Sequence, residues 1–249
     1  MPAPRLLILG GTGEAAGLAR QAVGRFGDRL HVTSALAGRT RSPSALAGHV
    51  RTGGFGGAAG LAGYLADAGV TMVIDATHPF ARAISRHGRE ACDEMSVPRL
   101  TLARPPWRRR AGDQWSLVDD AAGAARALAA HGGRGLITIG VQELSPFVDL
   151  QGPRALVRLI ELPAKPLPFD LVTGRGPFTV AAETRLLVDQ NIDLLVTKAS
   201  GGAATRAKIT AARRLGLPVI MIRRPPEEPG TKVRSIAAAL DWLEVTASN

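Results

Sequence analysis

Cysteine is almost missing from this chain. Cys92 is the only one, which rules out an intrachain disulfide and any multi-cysteine metal site and fits a reducing cytoplasm. A packed helical thiol is the preferred reading for it over a nucleophile. Aromatic residues make up 4% of the chain, too few for a platform that stacks single-stranded bases, and no zinc-finger spacing accompanies them. The five histidines are scattered, so no catalytic zinc cluster and no other metal site is expected. No apolar run reaches the roughly 20 residues that span a bilayer. The chain enters a strand-like run directly after Met1-Pro2-Ala3-Pro4-Arg5, so no signal or transit peptide is expected. Lysine is scarce too. The net charge of +10 comes from 31 Lys+Arg against 21 Asp+Glu, yet Lys165, Lys198, Lys208 and Lys232 are the only lysines. Such a field draws in an anionic ligand.

Strand-like and helix-like runs alternate throughout, the pattern of an α/β protein. Strands are expected at 5–9, 30–35, 49–52, 71–75, 99–103, 135–139, 155–161, 193–197 and 218–222. Helices are expected at 13–24, 58–68, 79–95, 119–131, 143–148, 178–190, 203–215 and 232–246. The halves echo each other. Asp75-Ala76-Thr77 ends a strand, a helix follows, Pro98 opens the next strand and Arg104-Pro105-Pro106 closes it. Thr197-Lys198-Ala199, Pro218 and Arg223-Arg224-Pro225-Pro226 repeat that order. The pattern predicts two Rossmann-like open parallel-sheet lobes in series, 1–107 and 108–249, with a cleft between them. Strands crossing between lobes would move that boundary. Ligands in such sheets bind beyond the carboxyl ends of the strands.

The most informative stretch is Leu6-Leu7-Ile8-Leu9-Gly10-Gly11-Thr12-Gly13-Glu14-Ala15. An apolar strand drops into a glycine turn and then a helix. Small residues let the backbone approach a phosphate, and the free N–H groups of the helix start hold its charge. A site for NAD usually places Asp or Glu near the end of the next strand, for the ribose hydroxyls. Here Ser34, Gly38, Arg39, Thr40 and Arg41 stand there instead. A guanidinium fork pairs with a 2′-phosphate, so NADPH is expected over NADH; a solvated arginine loop is the alternative. Gly54, within Thr52-Gly53-Gly54-Phe55-Gly56-Gly57, either lines the adenosine end or serves as a connection. Asp75, Thr77 and His78 close the fourth strand, where the nicotinamide end lies. Thr77 can bond the ribose or carboxamide, Asp75 can orient or cap, and His78 is either a proton donor or structural. Tyr64 is the only tyrosine and Ala68 stands four residues on, which excludes the Tyr-x-x-x-Lys pair of short-chain dehydrogenases.

The second half offers Thr197-Lys198-Ala199-Ser200-Gly201-Gly202, then Thr205 and Lys208. Two of the four lysines fall here, and N–H groups, hydroxyls and an ammonium together hold carboxylates or phosphates. A solvated helix start is the alternative. Gly174-Arg175-Gly176-Pro177-Phe178 makes a second basic loop, and Gly140-Val141-Gln142-Glu143 follows a third strand end.

The motifs Gly10–Ala15, Leu36-Ala37-Gly38-Arg39, Asp75–Ala81, Gly174–Phe178 and Thr197–Gly202, in that order, closely resemble the precorrin-6A reductase family of cobalamin biosynthesis. The resemblance covers nearly the whole chain. It implies NADPH-dependent reduction of a macrocycle double bond to give precorrin-6B, or the cobalt-containing counterpart. It further implies an anionic tetrapyrrole substrate, hand-off to neighbouring pathway enzymes, and no nucleic acid or membrane partner. A macrocycle rich in carboxylates suits a basic cleft. On this reading Arg175, Gly176, Lys198, Ser200, Gly201, Gly202 and Thr205 hold substrate. The proton comes from His78, Lys198 or water, with Glu143 a more distant candidate. Trp107 either stacks on the macrocycle or packs between lobes. Two other readings stay open: a non-catalytic NADP sensor, and an NADPH reductase of another polyanion.

Overall fold

A computed structural model describes residues 2–38, 46–148 and 155–247. Each half of the protein is a six-stranded, all-parallel sheet flanked by helices. The first sheet has the order β12-β5-β4-β1-β2-β3. Its strands are β1 (Arg5–Leu9), β2 (His31–Leu36), β3 (His49–Thr52), β4 (Met72–Asp75), β5 (Arg99–Leu102) and β12 (Thr231–Val233). The second has the order β6-β11-β10-β7-β8-β9. Its strands are β6 (Trp115–Val118), β7 (Gly135–Ile137), β8 (Ala155–Leu159), β9 (Asp170–Thr173), β10 (Leu194–Lys198) and β11 (Val219–Ile222). Read from β3, the first order is the 3-2-1-4-5-6 of a dinucleotide-binding fold; read from β9, the second repeats it through five strands, but its sixth place is filled by β6, the first strand of that unit in sequence.

The sixth strand of each sheet arrives by an exchange. The chain leaves the first unit after Pro105 and returns at Pro225, so the two Pro-Pro pairs mark the two crossings. The first unit therefore comprises the described residues up to Pro105 and those from Pro225 onward; the second is Pro106–Arg224. This moves the expected boundary of 107/108. It also returns β12 and α8 (Ile236–Ala247) to the first unit, although the sequence puts 108–249 in the second. The physical reason is pairing: Thr231, Lys232 and Val233 align with Leu100, Thr101 and Leu102 of β5, and Leu240 and Leu243 join the core under β1. The helix expected from 232 accordingly begins with a strand, and β6 and β9 are further strands that the sequence pattern omits.

Central strands are buried on both faces and read as unbroken apolar runs, as parallel sheets require. In β1, Leu6 and Ile8 pack with α1 (Gly13–Phe26) and α8 on one face. Leu7 and Leu9 pack with α2 (Ala58–Asp67) and the Ala91–Cys92 part of α3 (Arg82–Glu94) on the other. A Cβ at Gly88 would lie 2.8 Å from the Leu9 side chain, so glycine lets α3 approach β1. Burial pushes the Cys92 thiol up to about 12, the state of a packed side chain and not of a nucleophile. The second unit carries α4 (Ala121–His131), the short α5 (Ser145–Val148), α6 (Val180–Asp189) and α7 (Ala207–Arg214). Leu136, Leu156, Leu195, Leu187 and Ile209 share one of its cores. Among the described residues no helix is long and apolar enough to cross a membrane.

Candidate functional site

In both sheets the strand order reverses between two neighbours: β1 and β4 in the first, β7 and β10 in the second. The crevice at such a point is where open α/β sheets take ligands. In the first unit the glycine turn opens directly onto it. Gly10 donates its N–H to the Ala35 carbonyl at 3.0 Å, tying the turn to β2. Gly11 has φ +98°, a conformation that side chains rarely adopt. A Cβ on Gly11 or Gly13 would meet nothing within 4 Å, so the turn faces open space. Thr12 caps α1: its Oγ1 accepts from Ala15 N–H at 3.1 Å and donates to the Ala76 carbonyl at 2.7 Å. That second bond joins the β1 turn to the β4 turn. Glu14, in the first turn of α1, is paired with Arg104 at 2.5 Å.

At the β4 end, buried Asp75 accepts from Thr77 twice through Oδ1, from the amide at 3.0 Å and the hydroxyl at 2.7 Å. Ser85 Oγ lies 3.1 Å from Thr77 Oγ1; with the Thr77 hydrogen directed at Asp75, Ser85 is the donor. His78 accepts at Nδ1 from Phe80 N–H at 3.3 Å. The neutral ring then carries its proton on Nε2. Ser34 lies inside β2, and its buried hydroxyl has no partner. Gly38, at φ +71°, packs against Thr52, and Gly54 has open space where a Cβ would stand. Arg39 and Arg41 lie outside the described residues.

The sequence pattern passes over Arg51. It donates to the carbonyls of Gly53 at 2.7 Å and Gly54 at 3.0 Å, and its guanidinium lies 3.9 Å from the centre of the Phe55 ring. This contact shapes the glycine loop. The only signal for it is an arginine four residues before an aromatic.

In the second unit, Lys198 ends β10 and forms an ion pair with Glu143, which sits on the short turn Val141–Glu143 after β7. Two of the four proposed proton sources are thus partners across that unit's switch point. Ser200 turns back on the chain, its amide and hydroxyl both directed at the Lys198 carbonyl. Gly201 and Gly202 have φ +69° and +73°. Two side chains brace this loop, a task the sequence assigns to neither. Arg224 donates to the Ser200 carbonyl at 2.8 Å and the Ala199 carbonyl at 3.3 Å, and Trp107 donates its indole N–H to Gly202 at 2.7 Å. Trp107 also packs on the second unit's core. Thr205 Oγ1 is buried without a partner. Arg175 faces Glu161 at 3.4 Å, and a Cβ on Gly176 would lie 3.5 Å from the Ala204 carbonyl, so the two basic loops adjoin. Lys208 is not the solvated helix-start lysine that the sequence allows: it is buried. Among the described residues no group of His, Cys, Asp or Glu side chains could hold a metal ion.

Known proteins share this arrangement. The family model "Precorrin-6x reductase CbiJ/CobK" matches residues 5–244. A precorrin-6A reductase of Rhodococcus erythropolis is 47% identical, covering 96% of this chain and 97% of its own. One of Rhodobacter capsulatus is 42% identical, covering 96% and 95%. A solved structure of CobK precorrin-6A reductase superposes with a TM-score of 0.91 at 41% identity, covering 98% of this chain and 97% of that one. A cobalt-precorrin-6A reductase of Priestia megaterium is 29% identical, covering 68% of this chain and 71% of its own. This chain belongs to the precorrin-6x reductase CbiJ/CobK family.

Proposed function

We propose that this protein reduces precorrin-6A to precorrin-6B in cobalamin biosynthesis, with NADPH as the reductant. One observation carries the reaction: the similarity to a precorrin-6A reductase at 47% identity over 96% of the chain. The weaker, shorter match to a relative named for the cobalt-containing substrate favours the metal-free macrocycle.

The residues of the first unit suit the cofactor. The open turn at Gly11 and Gly13 and the capped start of α1 fit a pyrophosphate. Arg104 neutralises Glu14, the one carboxylate in that first turn. The stretch Ser34–Gly38 contains no carboxylate that would repel a 2′-phosphate, and Arg39 and Arg41 are assigned to that phosphate from the sequence. When bound, the nicotinamide supplies a hydride to one ring carbon of the substrate. The protein must then deliver one proton to the neighbouring carbon. Asp75 fixes the Thr77 hydroxyl so that it keeps a lone pair for the carboxamide or ribose. His78, with its proton on Nε2, and Lys198 are the groups assigned to proton delivery.

The second unit takes the substrate carboxylates. Lys198, Arg175, the Ser200–Gly202 loop and the Thr205 hydroxyl form the anion-binding set, and a substrate carboxylate competes with Glu143 for the Lys198 ammonium. The lone buried cysteine suits a cytoplasmic setting.

The test is nicotinamide oxidation by the purified protein given precorrin-6A. Turnover with NADPH is expected, with NADH at least about tenfold poorer and Arg39→Ala narrowing that gap. NADPH binding without turnover would reassign the protein as a sensor.

A further inference from the structure

Beneath the substrate-side loops lies a set of buried charges that the reaction above does not use. Lys208, on α7, is 5% exposed, and its Nζ donates to Thr138 Oγ1 at 2.8 Å. Thr138 directly follows β7. Its amide and hydroxyl both reach the Val196 carbonyl of β10, at 2.9 and 3.2 Å. Lys208 is therefore fastened where β7 and β10 leave the sheet. From there the chain runs through one short turn to Glu143, while β10 runs on to Lys198, and those two side chains form the ion pair. Beside Lys208, Arg158 of β8 bonds Glu183 of α6 at 2.7 Å, their side chains 8% and 1% exposed. The Arg158 guanidinium also lies 4.2 Å from the centre of the Phe178 ring, at the end of the Gly174–Phe178 loop. The cluster thus touches the base of each substrate-side loop.

A buried ammonium is costly. An apolar side chain of equal length would hold α7 against the sheet at least as well. The polar choice makes sense if geometry, and not stability, is what it secures. Burial, followed by the charge of Arg158, pushes Lys208 down to about 7, and Glu183 opposes them. Arg158 from β8 and Glu183 from α6 are the charged groups acting on it; the β7 side presents the Thr138 hydroxyl.

We infer that Lys208 is a positioning residue: fastened to Thr138, it holds the Glu143–Lys198 pair in the geometry that receives a substrate carboxylate. This rests on the assignment of those loops to the tetrapyrrole. Loss of the Lys208 proton removes one donor and one positive charge from beneath the site. Carboxylate binding therefore weakens as pH rises through about 7.

The test uses Lys208→Met and, as a second variant of unchanged shape, Thr138→Val. Below pH 7 both should raise KM for precorrin-6A about tenfold while kcat and NADPH affinity stay near wild type. Lys208→Arg should recover part of the loss. In the wild type KM should climb with pH through about 7, whereas in Lys208→Met it should be flat. Amide hydrogen exchange over 139–143 and 198–202 should quicken in both variants. Unchanged KM with unchanged exchange in the folded variants overturns the inference. If the wild type fails to reduce precorrin-6A, the functional assignment falls by itself. The exchange data then decide: faster exchange upholds positioning by Lys208, and unchanged exchange refutes it.

Discussion

Lys208→Met should stabilise the protein near neutral pH, and the gain should vanish in alkali. The folded protein holds Lys208 at about 7 against an ordinary 10.5, so between those values the unfolded chain binds the extra proton. Stability then rises with pH. The burial penalty is fully present below about 7, fades across the interval and is gone above about 10.5. Each pKa unit is worth about 1.4 kcal/mol, so the advantage of Lys208→Met should shrink by about 1.4 kcal/mol per pH unit. Between pH 7.5 and 9.5 that amounts to about 3 kcal/mol. Packing differences between Lys and Met do not depend on pH and cancel from this comparison. Denaturant unfolding followed by tryptophan fluorescence suits the measurement, because Trp107 and Trp115 both pack on the second unit's core. An advantage that stays constant across this range would mean that Lys208 keeps an ordinary charge in the folded state, and the reasoning would fail.

Three further outcomes are expected. Glu183→Gln should cost roughly 3–5 kcal/mol, because it strands a buried Arg158 charge; the same unfolding assay checks it. Gly11→Ala should cost roughly 1–3 kcal/mol from its backbone alone, since a Cβ there meets no neighbour, and should sharply weaken NADPH in a fluorescence titration. Lys198→Ala should raise KM or lower kcat for the tetrapyrrole and leave NADPH affinity nearly unchanged; a large loss of NADPH affinity would reverse the roles assigned to the two units.

The strands at the centre of each sheet were legible because burial on both faces forces a continuous apolar run. Leu6-Leu7-Ile8-Leu9 and Leu194-Leu195-Val196 leave no other reading. The loops after them were legible because glycine and hydroxyl residues there have few other uses. β6, β9 and β12 were not. Trp115–Val118, Asp170–Thr173 and Thr231–Val233 are short and half-exposed; β6 and β12 lie on sheet edges beside β11 and β5, which come from distant sequence. The exchange of sixth strands followed from those partners, and the two Pro-Pro pairs mark where it happens only once the pairing is known. The charged cluster was invisible for the same reason. Lys208, Arg158 and Glu183 come from three elements, and no spacing along the chain announces their meeting. Arg104, Arg224 and Trp107 likewise acquire their tasks from carbonyls and carboxylates far away in sequence.

The returning strand β12 also sets an order of events during synthesis. β5 is complete roughly 130 residues before β12 emerges, a gap on the order of ten seconds at ribosomal speed. Through that interval the nascent first unit has a bare sheet edge at β5 and lacks the Leu240 and Leu243 contribution to its core. The second unit, whose last strand is β11, can close first. Ribosome-bound chains halted before Thr231 should therefore resist protease across the second half while the first remains open to cleavage.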